Sequence, residues 1–513
     1  MSKAFRITLF AILSLLGLIM ILLATSKYGA GLTLDSVDYI SAARNLAYNR
    51  ELVRYNGEQF LHWPPLFPFL LSLFELCGVH AFVGVRFLNA FLFAGIVFMF
   101  GILFWRSTKT PSKFLLTYSV FVITTSVPII QTAMIAWSEP LFIFLVTLFF
   151  LVFGRFLETK KPFLFYSSIA IAALIPMARY LGVVVPLIGS IILLASPSEV
   201  DLRKRIKSAL VFGSISCLPV FFWLMRNKII SSTFTGERSP TNISIWQNIR
   251  DVMMRVGYWF TPIEVKQAGL FGIFSMILSF ILIFGFLNRR RLKSYYLLVS
   301  SLFALSYSVL LVVMNSITHN DRIVLNDRLL SPLYIPLIFA VLSIISLLFT
   351  KNEASPKKWM KGLRISFIAF ATLSFVLLCF DTGRFIRKQM WRGVNAPLGN
   401  SYTKADFQED PIVKWFQSNR FEGQYYSNFP HLCYAFTWKN TNLIPRNDAE
   451  AEDFLSQIEE GKNYLFVIFL FKRFQVERDN LRFLEKFLFE HFDFRVLSHS
   501  PMGVVMVCSL KDS

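Results

Sequence analysis

Cysteine is scarce in this chain and scattered. The five cysteines among 513 residues (Cys77, Cys217, Cys379, Cys433 and Cys508) fall in no CxxC spacing. That excludes a zinc-finger-type site and a dense disulfide framework. Only Cys433 and Cys508 share a final segment in which a disulfide is feasible, and the sequence leaves their pairing open. A cleavable signal is also missing. The first apolar run, Ile7–Ala24, follows Lys3 and Arg6 but has no small-residue cleavage site, so it reads as an anchor that starts on the cytoplasmic side. There is no internal repeat and no low-complexity tract. The missing repeat counts against a transporter built from paired halves. Acidic residues are outnumbered, 32 against 52 lysines and arginines, for a net charge of +20.

What the chain has in excess is apolar surface. Hydrophobic residues make up 55% of it, above the roughly 45–50% of soluble domains. They lie in runs such as Phe91–Trp105, Leu141–Phe153, Leu270–Leu287 and Leu333–Phe349. Several such runs reach the roughly 17–25 residues that cross about 30 Å of hydrocarbon. In a soluble protein the positive charge would suggest nucleic acid. Here it falls in short loops between apolar runs, where it sets topology, so no nucleic-acid partner is expected; membrane lipids surround the chain instead.

Spans are expected near 7–25, 82–104, 114–135, 140–156, 163–178, 180–195, 208–226, 269–287, 294–314, 331–349 and 364–380. The loops holding Arg106/Lys109/Lys113, Lys160/Lys161, Arg203/Lys204/Arg205/Lys207, Arg289/Arg290/Arg291/Lys293 and Lys351/Lys357/Lys358/Lys361 are short and basic, hence cytoplasmic. The longer, mixed loops 26–81, 227–268 and 315–330 then face outward. Leu66–Cys77 is too short to cross and suits an interfacial or re-entrant helix. After about 380 the apolar runs shorten to strand length (Tyr464–Phe471, Val504–Leu510), with helix-like stretches at Asp410–Ser418, Asp448–Glu459 and Val476–His491. The fold class expected is an all-α polytopic membrane domain of about eleven helices (1–380) followed by a small soluble α/β domain (381–513). The location expected is a bacterial inner membrane, with the N-terminus cytoplasmic and the last domain periplasmic.

Ionisable residues gather at the outer ends of spans. Asp35, directly after the first span, lies one helical turn from Asp38, so a helix would put both carboxylates on one face; a plain N-cap role for Asp35 is the alternative. Tyr39 follows. His62-Trp63-Pro64-Pro65 pins a loop near the membrane, with Trp63 also suited to interfacial anchoring. Arg86 can snorkel at a helix end. Glu139 precedes Pro140 at the start of a span, where it can serve the helix dipole alone. Arg179 and Arg328 are the cations best suited to phosphate, because a guanidinium donates two parallel hydrogen bonds. The polar segment 227–268, with Thr235-Gly236-Glu237-Arg238 and Tyr258-Trp259-Phe260, could cover a site.

In order, spacing and common membrane side, these positions resemble the GT-C superfamily of membrane glycosyltransferases. The similarity is greatest to the protein O-mannosyltransferase-like family and the enzymes that add aminoarabinose to lipid A. Asp35…Tyr39, Trp63-Pro64-Pro65-Leu66, Gly78…Arg86, Glu139-Pro140 and Arg328-Leu329-Leu330-Ser331-Pro332-Leu333-Tyr334 match the family layout, most specifically over residues 30–160. Two departures stand out. The lipid A enzymes carry Lys where Trp63 stands, which leaves His62 or Arg328 for the donor phosphate, and Ser36 replaces the second acid of a pair.

The resemblance implies a hexosyl or pentosyl donor on a polyprenyl phosphate and a lipid, glycan or protein acceptor. Asp35 would be the catalytic base and Arg328, with Arg179 or Arg86, would meet the leaving phosphate. Glu139 would orient the acceptor or help hold a divalent ion. Asp38, Tyr39, His62 and Trp63 would contact substrate. No cofactor is expected; metal independence is favoured, with a divalent ion still allowed. The rival readings are a multi-pass transporter or lipid flippase and a non-catalytic scaffold.

Overall fold

The computed structural model describes residues 2–108, 112–195, 201–237, 243–259, 269–270, 272–275, 277, 283, 294–317, 325–347, 349, 358–395, 401–470 and 478–511. The chain divides into two compact units, each discontinuous in sequence. A helical unit comprises Met1–Ala24, Leu61–Phe67 and Arg86–Lys388, and a mixed unit comprises Thr25–Phe60, Pro68–Val85 and Gln389–Ser513.

Among the described residues, seven helices are long and apolar enough to cross a membrane: Lys3–Ala24, Ala81–Ser107, Glu139–Thr159, Leu202–Ser231, Tyr295–Ile317, Asp327–Ser346 and Gly362–Arg392. The chain is a multi-pass membrane protein. The span expected over 114–135 is broken into Lys113–Thr124 and Val127–Ala133, bent by 44°. Pro128 lies in the first turn of the second piece and has no N–H to continue the ladder. Thr382 Oγ1 donates to the Thr125 carbonyl at 3.0 Å, so a carbonyl at the break keeps a partner, as hydrocarbon requires. Pro162–Ala178 and Tyr180–Ala195 are apolar but shorter, and most of the expected span 269–287 lies outside the described residues. The basic loops at 289–293 and 351–357 lie outside them as well.

Close packing explains how the first two long helices meet. A β-carbon on Gly17 would fall 2.8 Å from the Phe93 ring, and one on Gly101 would fall 2.7 Å from Phe10. Small residues let helices approach where no hydrophobic drive separates protein from lipid. At the end of that pair, Arg6 lies over the Trp105 ring at 4.8 Å.

The mixed unit contains a five-stranded sheet in the order β2-β1-β3-β5-β4. Its strands are β1 Tyr425–Ser427, β2 Thr441–Leu443, β3 Tyr464–Phe469, β4 Phe492–Ser500 and β5 Gly503–Leu510. β1 runs parallel to β2 and β3, while β5 pairs antiparallel with β3 and β4. β3 is buried along its whole length, as its unbroken apolar run requires. Tyr426, Phe454, Phe466, Phe487 and Phe492 form the centre of its core. Cys433 and Cys508 are separate, buried thiols.

The N-terminal parts of this unit are stitched to the sheet-bearing part through the backbone. Tyr402 N–H donates to the Leu32 carbonyl at 2.9 Å, and Thr441 N–H to the Tyr55 carbonyl at 3.1 Å. Leu66–Leu76 is an 11-residue helix, about 16 Å long and well short of a bilayer.

Candidate functional site

The helix Leu34–Asn49 carries Asp35 and Asp38 in its first two turns. Its N-cap is Thr33, not Asp35, so the capping alternative for Asp35 does not hold. Asp35 sits inside the first turn, half-buried, where the helix dipole favours an anion. Asp38 is fully buried. Arg54 Nε donates to its Oδ1 at 2.7 Å and Nη2 to its Oδ2 at 3.4 Å. Burial pushes the Asp38 carboxyl up to about 7, against the pull of Arg54. Charge taken out of water is unfavourable, and the guanidinium offsets only part of that cost. Tyr39 is buried, its ring centroid 6.2 Å from that of Phe60.

Beyond Arg54 lies an aromatic box. Tyr55 and Tyr402 sit 6.4 and 5.8 Å from the His431 ring. Burial first, and the Arg54 charge second, lower His431 to about 4. His431 is therefore neutral at physiological pH.

In the helical unit, Glu139, Arg179 and Arg328 come together. Glu139 opens the helix Glu139–Thr159 and is fully buried. Its Oε1 accepts from Arg328 Nε and pairs with Arg179 Nη1 at 2.5 Å. Its Oε2 is buried and has no hydrogen-bond partner among the described residues. The two guanidinium side chains keep 15% and 16% of their surface exposed while the carboxylate keeps none. Two guanidinium groups thus share one buried carboxylate oxygen.

Each arginine is placed by local structure. Arg179 is the extended residue between Pro162–Ala178 and a 3-10 turn at Tyr180–Val183. Arg328 lies in the short helix Asp327–Leu330, which Asn326 caps by accepting from Leu329 N–H. The Arg328 guanidinium lies over the Trp137 ring, and the Tyr307 hydroxyl holds the Leu329 carbonyl at 3.0 Å. Asp327 accepts from Trp259 Nε1 at 3.1 Å, which fastens one end of the helix Ile245–Tyr258 beside this motif. Buried Asn248 fastens its other end to Ser316 and Asn315. Of the segment expected to act as a cover, Arg238 and Phe260 lie outside the described residues.

The His62-Trp63 loop is held by its neighbour. The Leu61 carbonyl accepts from the Tyr180 hydroxyl at 3.0 Å and from Asn227 Nδ2 at 3.4 Å. Trp223 Nε1 in turn donates to that hydroxyl at 2.9 Å. The His62 and Trp63 rings are 5.4 Å apart, and Gly236, at φ +77°, approaches His62 so closely that a β-carbon would lie 2.8 Å from the imidazole. Tyr180 follows Arg179 directly, so one short turn places both the loop and an arginine. Arg86 Nη2 reaches the Leu22 carbonyl at 3.5 Å. One turn on, buried Asn89 ties the same helix to the Ile135 carbonyl at 2.8 Å, next to the Trp137–Glu139 turn.

Three features of these sites have no motif in the sequence: Arg54 as the partner of Asp38, Trp137 as the plate beneath Arg328, and Tyr180 with Asn227 as the clamp on Leu61. A tryptophan two residues before Glu139 was the available signal for the second. Among the described residues, no group of three or more His, Cys, Asp or Glu side chains is arranged to hold a metal ion.

No family model matches the sequence, and no curated protein matches it. The fold is nonetheless specific: a multi-pass helical unit with a small C-terminal sheet, which aligns along nearly its whole length with solved structures. The crystal structure of ArnT from Cupriavidus metallidurans bound to undecaprenyl phosphate aligns with a TM-score of 0.61 and 12% identity, over 99% of this chain and 98% of that one. The apo form of ArnT aligns at 0.57 over 97% of each chain. The arabinofuranosyltransferase AftD from Mycobacteria, in a variant form, aligns at 0.57 with 15% identity; all of this chain corresponds to 42% of AftD.

Proposed function

We propose that this chain is an inverting glycosyltransferase. On this reading it moves a hexosyl or pentosyl unit from a polyprenyl-phosphate carrier to a hydroxyl acceptor at the outer face of a bacterial inner membrane. The fold supports this reading, and so does the undecaprenyl phosphate held by ArnT. The observation that carries it is the pair of arginines on buried Glu139. Such a pair supplies preorganised positive charge for a phosphate without a metal.

The chemistry follows from the donor. The acceptor oxygen attacks C1 of the sugar, the C1–O bond to phosphate breaks, and the lipid phosphate leaves with the bonding pair. Arg328 and Arg179 stabilise that growing charge, while Asp35 takes the proton of the acceptor hydroxyl. A single displacement inverts C1. General-base help of this kind contributes about 10²–10⁴-fold. Glu139, buried against two cations, is suited to hold the arginines in place and poorly suited to bind a divalent ion. Asp38, engaged by Arg54, is suited to fix the first turns of the Asp35 helix.

The test uses purified protein in detergent with polyprenyl-phosphate sugars and an envelope-glycan acceptor fraction. Transfer without a sealed compartment is expected, and it separates an enzyme from a flippase. Asp35→Asn should reach normal membrane levels and lose at least about 10²-fold in transfer. Near-wild-type transfer by that variant removes Asp35 from the reaction. A scaffold would tolerate replacement of Asp35.

A further inference from the structure

The mixed unit contains a cavity of about 140 Å³ that none of the groups above accounts for. Tyr28, Phe82, Phe436 and Trp438 give it aromatic walls, and Gln408 and Gln417 give it amides. None of its lining residues is charged. We propose that this cavity binds one neutral sugar ring of the acceptor, stacked on Trp438 and hydrogen-bonded by the two glutamines, a reading that rests on the transferase assignment.

The chemistry of the lining selects this ligand class over others. A pyranose has an apolar C–H face that suits an aromatic plate, and a rim of hydroxyls that both donate and accept. Glutamine amides do both as well. A phosphate would meet no cation among the lining residues. Gln408 Nε2 donates to the Tyr402 carbonyl at 3.3 Å and Gln417 Nε2 to Gln408 Oε1 at 3.4 Å, and an acyl chain would add no hydrogen bond to this pair, whereas a hydroxyl would.

The Trp438 ring is held with unusual care. Its backbone is left-handed at φ +55°, a conformation that side-chain-bearing residues avoid and glycine adopts freely. Tryptophan therefore stands there against its backbone preference. Its ring lies 4.8 Å from His80 and 5.2 Å from Phe82. Arg44 Nη1 donates to the Trp438 carbonyl at 2.7 Å and to the Tyr434 hydroxyl at 3.2 Å. Arg44 belongs to the helix Leu34–Asn49 that carries Asp35, so the plate and the proposed base share one frame.

The cavity also adjoins the start of that helix. Leu32, one turn before Asp35, lines it, and so does Thr403. The Tyr402 N–H is bonded to the Leu32 carbonyl. Burial first, and then the charges of Tyr55, Asp35 and Asp38, push the Tyr402 phenol up. The cavity thus lies against the segment that leads into the Asp35 helix.

The experiment uses the full chain in phospholipid nanodiscs, with mannotriose and chitotriose as probes in saturation-transfer NMR and the transfer assay run in parallel. At least one probe should bind saturably. Gln417→Ala, at an exposed position, should weaken binding by up to about 10-fold, as loss of a net hydrogen bond allows. Trp438→Leu should abolish binding and Trp438→Tyr should restore most of it. In the transfer assay, Trp438→Leu should raise the acceptor KM at least about 10-fold while the donor KM stays fixed. No saturable binding by either probe, equal binding by all variants, or displacement of the probe by a fatty acid overturns the proposal. Trp438-dependent binding without any transfer keeps the cavity and removes the transferase reading. Transfer with an acceptor KM indifferent to Trp438 does the reverse.

Discussion

The Arg328 guanidinium lies 4.1 Å from the centroid of the Trp137 ring, and its Nε hydrogen-bonds the carboxylate two residues further along the chain. One short turn thus holds this arginine by a flat face and by an edge. A planar, delocalised cation can satisfy both contacts at once, and an ammonium cannot.

Arg328→Lys should therefore be a damaging exchange despite keeping the charge. Transfer should fall at least about 10-fold, the cost of one lost charge-assisted contact, with the larger change in donor KM. Trp137→Leu removes only the stacking face, worth about 0.5–2 kcal/mol, and should show a milder form of the same defect. Steady-state kinetics with varied donor separate the two, and an unchanged donor KM in Arg328→Lys would remove the guanidinium from phosphate binding.

Glu139→Gln should destabilise the helical unit. It leaves Arg179 and Arg328 facing each other with no buried counter-charge, and breaking a buried pair typically costs about 3–5 kcal/mol. The thermal midpoint in detergent should drop by several degrees. A midpoint equal to wild type would mean that the carboxylate holds neither arginine.

Tyr180→Phe deletes the hydroxyl that donates to Leu61 and accepts from Trp223. The half-buried Trp223 N–H loses this acceptor, at a cost of up to about 1 kcal/mol. Hydrogen exchange should quicken in the peptide around residues 60–66. Unchanged protection there would show that Asn227 alone holds the loop.

Arg54→Ala should destabilise the mixed unit more than Arg54→Ala combined with Asp38→Asn, because the single variant strands a buried carboxylate. Thermal midpoints of the two singles and the double form the test. A double variant no better than Arg54→Ala would mean that the two residues are not coupled.

Acid should act through His431. Held near 4 in the folded chain, it stays neutral while its unfolded counterpart takes up a proton below about 6.5. The unfolded state then binds more protons, so this residue's share of stability is intact above pH 6.5 and is lost on acidification towards 4. Wild type should lose more thermal stability over that interval than His431→Asn does. Asp38 works in the opposite sense, since its raised carboxyl makes the folded state the better proton binder between about 4 and 7. Parallel melting curves for wild type and His431→Asn across the interval would show that another group titrates.

Much of the helical unit could be read directly, because apolar periodicity and length are local properties and hydrocarbon thickness sets a threshold. The break at Ser126 was less visible, since one proline in an apolar run does not say whether the helix bends or continues. In the mixed unit the apolar runs marking β3 and β5 stood out, whereas β1 and β2 are three residues each and leave no alternation to detect. Glu139, Arg179 and Arg328 were each noticeable as charges at span ends. Their union was not, for the carboxylate and Arg328 are 189 positions apart and no short-range pattern links them. Arg54 sits in a polar stretch that gives no hint of its buried partner.

The stitch between Leu32 and the segment at 401–402 sets an order of events at the ribosome. Leu32 N–H donates to the Ser401 hydroxyl, 369 residues downstream, with the membrane helices made in between. At about 5–20 residues per second, the Asp35 helix waits about 20–70 s before the strands that complete its unit emerge. Until then its buried face, including Val37, Ile40 and Ala43, has no sheet-bearing partner. Nascent chains stalled before residue 401 should therefore depend on a holding chaperone, and full-length chains should not.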